Sequence, residues 1–168
     1  MTSEVFVSVG SNVDPRHNLR WGLQQLMHRF GRLRISPVYR NKPVGFEGDD
    51  FYNLVVAFDT DDSPRAVSVA LDAMENACGR DRAGPRYGPR SLDLDLLLHG
   101  MAVLDEPGLV LPRRDLLRYA FMLAPLASLA GDRRHPQTGE TFAAHWARFD
   151  RASHPLIEVA MPELSDLA

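Results

Sequence analysis

Ser91-Leu92-Asp93-Leu94-Asp95-Leu96-Leu97-Leu98 is the stretch on which the fold turns. Side chains alternate across a strand, so Leu92, Leu94, Leu96 and Leu98 face a core while Ser91, Asp93 and Asp95 face the other way. Working outward toward the N-terminus, residues 79–90 carry too much Gly and Pro for regular structure. Before them, Ser63-Pro64 starts a helix whose apolar stripe (Val67, Leu71, Met74) runs to about residue 79. Residues 54–58 are a valine-rich strand, preceded by a polar loop over 41–50. Leu33, Ile35 and Val38-Tyr39 read as a strand interrupted near Pro37. A first helix opens at Asp14-Pro15, with Asp14 as N-cap, carries Leu19, Leu23, Leu26, Met27 and Phe30, and stops at Gly31. Residues 4–9 alternate as the first strand, Val5, Val7 and Val9 against Phe6. Toward the C-terminus, His99-Gly100 turns into a short strand at 102–103. Helices follow over 121–130 and 141–149, and a strand over 156–159.

The leucine strand thus closes the order β-α-β-β-α-β. That is the split βαβ, ferredoxin-like plan of an α+β protein: an antiparallel sheet with two helices on one face. A helical C-terminal extension is then available for the other face. The plan hosts many activities, so function must come from the site.

The 168 residues, 45% hydrophobic and 24% charged, suit one domain over 1–168 with a buried core and exclude a disordered chain. No apolar run is long enough to span a membrane, and residues 1–10 lack a secretory signal. A single cysteine, Cys78, excludes an internal disulfide framework, which makes a reducing cytoplasm the expected location. A net charge of −3 argues against bulk nucleic-acid binding. The six histidines are scattered without metal-ligand spacing.

Chemistry concentrates around the leucine strand. Asp93 and Asp95 share one face, about 7 Å apart along the strand, and two carboxylates so placed call for a cation. Hard oxygen ligands at this spacing suit Mg²⁺ completed by substrate phosphates. Immediately upstream, Arg80, Arg82, Arg86 and Arg90 stand against one acid, Asp81. An acidic pair beside guanidinium groups is what phosphoryl transfer needs. Residues 43–53 add Pro43, Gly45, Phe46, Phe51, Tyr52 and Asn53, with core packing the competing role for each aromatic. An aromatic to stack and an amide to read an edge fit a flat heterocycle, with Phe121 as the opposing face. Gly10-Ser11-Asn12 reads as a strand-to-helix turn, and no phosphate-binding Gly-rich loop of the Walker or dinucleotide type occurs.

These segments in this order resemble the 6-hydroxymethyl-7,8-dihydropterin pyrophosphokinase family of folate biosynthesis. The resemblance runs over residues 4–130, through Val9-Gly10-Ser11-Asn12, Pro43-Val44-Gly45, Phe51-Tyr52-Asn53, Gly88-Pro89-Arg90-Ser91-Leu92-Asp93-Leu94-Asp95 and Phe121-Met122-Leu123-Ala124-Pro125-Leu126. It implies the ferredoxin-like core and transfer of diphosphate from ATP to the pterin hydroxymethyl group, with AMP released. It implies two Mg²⁺ ions on Asp93 and Asp95, and Arg80 and Arg90 on the phosphates. It further implies Val44, Gly45, Phe51, Asn53 and Phe121 around the pterin. Glu75, Arg82, Tyr87, Leu96, Arg113, Arg114 and Tyr119 fall at ATP-site positions. The last part departs from the family pattern, which shows His after Pro112 and an arginine where Tyr119 stands.

Two other readings compete. A non-catalytic pterin- or nucleotide-binding paralogue would account for the altered residues 113, 114 and 119, but not for the retained Asp93, Asp95, Arg80 and Arg90. An RNA-binding module of the same fold needs aromatics and basic charge on the sheet face, where this chain has an acidic pair. The expectation is therefore an enzyme acting on two small molecules, with no nucleic acid or membrane partner, and a monomer.

Overall fold

A computed structural model describes residues 1–45, 47–78 and 91–167. In chain order the elements are β1 (Ser3–Ser11), α1 (Pro15–Phe30), β2 (Arg34–Ile35), β3 (Val38–Asn41), β4 (Phe51–Thr60), α2 (Pro64–Ala77), β5 (Asp93–His99), β6 (Leu104–Glu106), β7 (Leu109–Leu111), α3 (Ala120–Ala130), α4 (Phe142–Ala147) and β8 (Ile157–Val159). The sheet runs β5-β1-β4-β3-β8, with β2 also on β4, and every pairing is antiparallel. The expected β-α-β-β-α-β order and ferredoxin-like plan hold, and Pro37 divides the second strand into β2 and β3 as its missing N–H requires.

The sheet separates two apolar layers. On one face Val5, Val7, Val9, Leu54, Val56 and Phe58 pack with Leu19, Leu23 and Leu26 of α1 and Val67, Leu71 and Met74 of α2. On the other, Phe6, Val55 and Ala57 meet Met122, Leu123 and Leu126 of α3 and Phe142 of α4. The C-terminal helices therefore cover the second face. Ser63 caps α2 by accepting from the Ala66 N–H at 3.1 Å, and Thr141 caps α4 in the same way.

Three expectations need correcting. Asp14 sits at the start of α1 but at φ 41°, ψ 58°, and its side chain makes no cap hydrogen bond, so Pro15 alone supplies the start signal. Leu98 does not share a face with Leu92, Leu94 and Leu96. The β1–β5 register shifts between Phe6, opposite Leu98, and Val7, opposite Leu96, so Leu97 is an extra residue and Leu98 joins Leu97 in the second layer. The short strand placed at 102–103 begins instead at Leu104 and pairs with β7, the hairpin turning at Gly108 with φ 74°.

The chain ends by adding β8 to β3 and tucking Met161, Leu164 and Leu167 into the first layer. Arg16–Glu163 and Arg20–Asp166 pairs hold that tail on α1. At one end of the sheet, on the α3 side, the inward residues cease to be apolar. That end carries the site.

Candidate active site

Register builds the site. Gly10 stands opposite Asp93 on one side and Asn53 on the other, and Asn53 stands opposite Tyr39. Side chains of one cross-strand row share a face, here the face of Phe6 and Val55 that α3 covers. Asp93 and Asn53 are thus two strand spacings apart, about 10 Å, with a glycine between them. Asp95 follows Asp93 on the same face, opposite the buried Ser8.

Gly10 is required by close approach. A Cβ there would lie 2.3 Å from Asn53 Oδ1. The orientation of that amide is fixed by a relay: Asn41 Nδ2 donates to Lys42 O at 3.0 Å, and Asn53 Nδ2 donates to Asn41 Oδ1 at 2.7 Å. Asn53 is buried, and its Oδ1 turns over Gly10 as an acceptor. Burial pushes the hydroxyl of Tyr39, next along the row, above the ordinary tyrosine value.

Beside Asn41 opens a cavity of about 550 Å³, lined among others by Arg40, Lys42, Val44, Tyr119, Phe121 and His154. Gly45, at φ 85°, makes the turn that follows Val44. Asn12 Nδ2 donates to Asp49 O at 3.2 Å and so ties the end of β1 to the 41–50 loop. Phe51 precedes Asn53 by two residues on β4 and shares its face. Phe121 lies in the first turn of α3 and stacks on Tyr119, centroids 5.2 Å apart and planes 20° apart. Tyr119, read from sequence as part of a nucleotide wall, lines the same cavity as Phe121, with the His154 ring edge-on at 6.3 Å.

On the acidic side, Glu75 accepts from the Leu94 N–H at 2.8 Å. β5 is an edge strand, and this carboxylate, buried on α2, engages the backbone between the two aspartates. Glu75 therefore holds Asp93 and Asp95 in place as well as standing at an expected ATP-site position. Leu96 packs in the first apolar layer. Arg113 Nη2 lies 3.5 Å from Asp95 Oδ1 and 3.9 Å from Asp115 Oδ2. Arg114 turns to Asp105 on the hairpin, both strongly exposed. The expected Arg80, Arg82, Tyr87 and Arg90 lie outside the described residues.

The donor set fits a divalent cation. Asp93 and Asp95 are half-buried carboxylates on one face, and a guanidinium already lies beside one of them. Among the described residues no third carboxylate, histidine or cysteine joins them, so phosphate oxygens and water would complete the shell.

Sequence reasoning missed Gly10, Asn41 and the C-terminal residues 153–157 that line the cavity. It gave Glu75 no structural role, although a carboxylate four residues after Leu71, in line with an apolar stripe, was a readable signal of a buried acceptor.

The family model for 7,8-dihydro-6-hydroxymethylpterin-pyrophosphokinase (HPPK) matches residues 6–131. The chain is 40% identical over 144 residues to the 2-amino-4-hydroxy-6-hydroxymethyldihydropteridine pyrophosphokinase of Pseudomonas aeruginosa, covering 81% of this chain and 86% of that one. It is 30% identical over 133 residues to the Bacillus subtilis protein of the same name, covering 77% and 79%. Among solved structures, wild-type Plasmodium falciparum HPPK-DHPS with STZ-DHP superposes with a TM-score of 0.70 at 13% identity, over 92% of this chain and 43% of that one. At that identity the likeness speaks for the fold, and this chain spans less than half of the solved chain.

Proposed function

Because the chain belongs to the 7,8-dihydro-6-hydroxymethylpterin-pyrophosphokinase family, we propose that its transfer of diphosphate from ATP to the dihydropterin hydroxymethyl group, releasing AMP, runs along the row Asn53–Gly10–Asp93. One observation carries the placement. The register puts a reading amide and a carboxylate on the same face, on either side of a residue with no side chain. Gly10 makes room for Asn53 Oδ1, and a flat ring whose edge meets that oxygen can extend its arm along the row toward Asp93.

Each residue then has a task. Asn53 Oδ1, oriented through Asn41, accepts from a ring N–H. Phe121 supplies one stacking face and Val44 lines the same cavity, while Phe51 and Gly45 are assigned to the pterin on sequence grounds. Asp93 and Asp95 would hold two Mg²⁺ ions, whose chemistry is to neutralise the phosphate oxygens. Glu75 fixes the strand on which both aspartates ride. Asp93, across from Gly10, is the carboxylate nearest the hydroxyl whose proton must leave. Arg80, Arg90, Arg82 and Tyr87 are assigned to ATP on sequence grounds. Most of the rate enhancement comes from positioning and preorganised charge, since phosphoryl transfer asks little covalent chemistry of the protein.

The enzyme is read as cytoplasmic and as one domain over its length; among the described residues no helix is long and apolar enough to cross a membrane. Nothing in the fold or the likenesses favours a non-catalytic paralogue. The test is AMP release from ATP and Mg²⁺ with and without the reduced hydroxymethylpterin. AMP formed only when the pterin is present supports the reading, and Asn53→Ala should then raise KM for the pterin. ADP formation, or AMP release indifferent to the pterin, refutes it.

A further inference from the structure

Arg113 combines three features that the transfer reaction as described does not use. Its backbone N–H donates to Leu97 O at 3.0 Å, the carbonyl of the bulged residue on β5. That anchor places its guanidinium between Asp95 at 3.5 Å and Asp115 at 3.9 Å. Its Nε is buried and, among the described residues, has no hydrogen-bond partner, so the resting position leaves that donor unsatisfied.

We propose that Arg113 is a resident counter-ion of Asp95 that competes with the incoming divalent cation and gives up the carboxylate when metal and nucleotide enter together. The proposal rests on Asp93 and Asp95 being the metal pair. A cation binding alone must displace the guanidinium and leave it, among the described residues, with Asp115. A cation arriving with a triphosphate brings anionic oxygens that the released guanidinium can take in fork geometry, its Nε–H included. Metal and nucleotide therefore help each other bind through Arg113, and each raises the other's affinity by the same factor. The pair is partly exposed, so its strength is that of a solvent-facing ion pair and the competition is modest.

The test is Mn²⁺ binding followed by the free-ion EPR signal, without nucleotide, on wild type, Arg113→Met and Arg113→Lys. Methionine keeps the apolar stem, and the backbone bond to Leu97 O needs no particular side chain. Arg113→Met should bind Mn²⁺ about three- to fivefold more tightly than wild type, with Arg113→Lys between them. With a non-hydrolysable ATP analogue present, that advantage should vanish or reverse. Equal or weaker Mn²⁺ binding by Arg113→Met without nucleotide overturns the proposal while leaving the metal pair standing. Absence of Mn²⁺ binding to every form, with or without the analogue, overturns the metal pair itself. Should Arg113→Met not fold, Arg113→Gln takes its place with the same expectation.

Discussion

Replacing Gly10 by alanine adds a single methyl at the centre of the site, and its consequence can be worked from the geometry. The new Cβ would sit 2.3 Å from Asn53 Oδ1, more than 1 Å inside the about 3.5 Å at which nonbonded atoms rest. β1 cannot yield, being paired on both sides with β4 and β5. The buried Asn53 amide must rotate instead, and rotation gives up its 2.7 Å bond to Asn41. That loss is worth about 1 kcal/mol, and crowding a packed site adds about 1–3 kcal/mol. Since the obstructing atom ends a side chain, the low end of that range applies, and about 2 kcal/mol in total is expected. For a chain of this length that is a fall in Tm of roughly 4–8 °C. The functional effect is larger and selective. With the acceptor turned away, pterin affinity should drop at least about tenfold, one misplaced buried hydrogen bond, while ATP affinity stays. Calorimetric unfolding and titration with a pterin analogue measure both. In an Asn53→Ala background the added methyl should cost less than about 0.5 kcal/mol, because the obstructing atom is gone. Wild-type Tm and pterin affinity in Gly10→Ala, or the same cost in both backgrounds, refutes the reasoning.

Asp93→Asn and Asp95→Asn should each remove most AMP production yet unfold within about 2–3 °C of wild type by circular dichroism, since the Asp95–Arg113 pair is partly exposed and asparagine keeps the shape and an acceptor oxygen at each position; ordinary turnover in either variant sinks the metal assignment. Glu75→Ala strands the Leu94 N–H inside the fold and should lose about 1–3 kcal/mol in urea unfolding, with Glu75→Gln closer to wild type; an unchanged midpoint in Glu75→Ala denies the clamp. His135 is buried, its Nδ1 accepts from the Gln137 and Thr138 N–H groups, and burial holds its imidazole pKa below the ordinary value. Its neutral form is the native one, so its contribution is complete above about pH 6.5 and is lost as pH falls through that value toward the lower folded one. Tm should therefore fall on acidification more steeply in wild type than in His135→Asn, and equal slopes across about pH 5–8 contradict this.

The βαββαβ order was legible because the apolar stripes of α1 and α2 and the alternation in β1 and β5 are each long enough to declare a period. What escaped was set by pairing between strands. The bulge at Leu97 reverses Leu98, and nothing in a run of three leucines says where a partner strand slips by one residue. The site divides in the same way. Asp93, Asp95 and Asn53 were visible as types at spacings, and the structure brings them to one face. Gly10 was read as turn punctuation, because its role exists only once Asn53 lies beside it on β4. Tyr119 stands at an expected ATP-site position, and what the sequence leaves open is that its ring stacks on Phe121, two residues away, and shares that residue's cavity. Arg113 and Arg114 are neighbours in sequence, yet one reaches Asp95 and the other Asp105, because a short helical turn beginning at Arg114 sends their side chains apart.

The central claim is that the β- and γ-phosphates of ATP move together to the hydroxymethyl oxygen of the pterin, and following the β-phosphorus tests it most directly. The protein is incubated with β-³²P-labelled ATP, Mg²⁺ and the reduced hydroxymethylpterin, and the products are separated. The label should appear in a pterin diphosphate, with unlabelled AMP formed in equal amount and both products reduced to a small residue in Asp95→Asn. Label recovered in ADP, or retained in ATP while the pterin stays unmodified, contradicts the account.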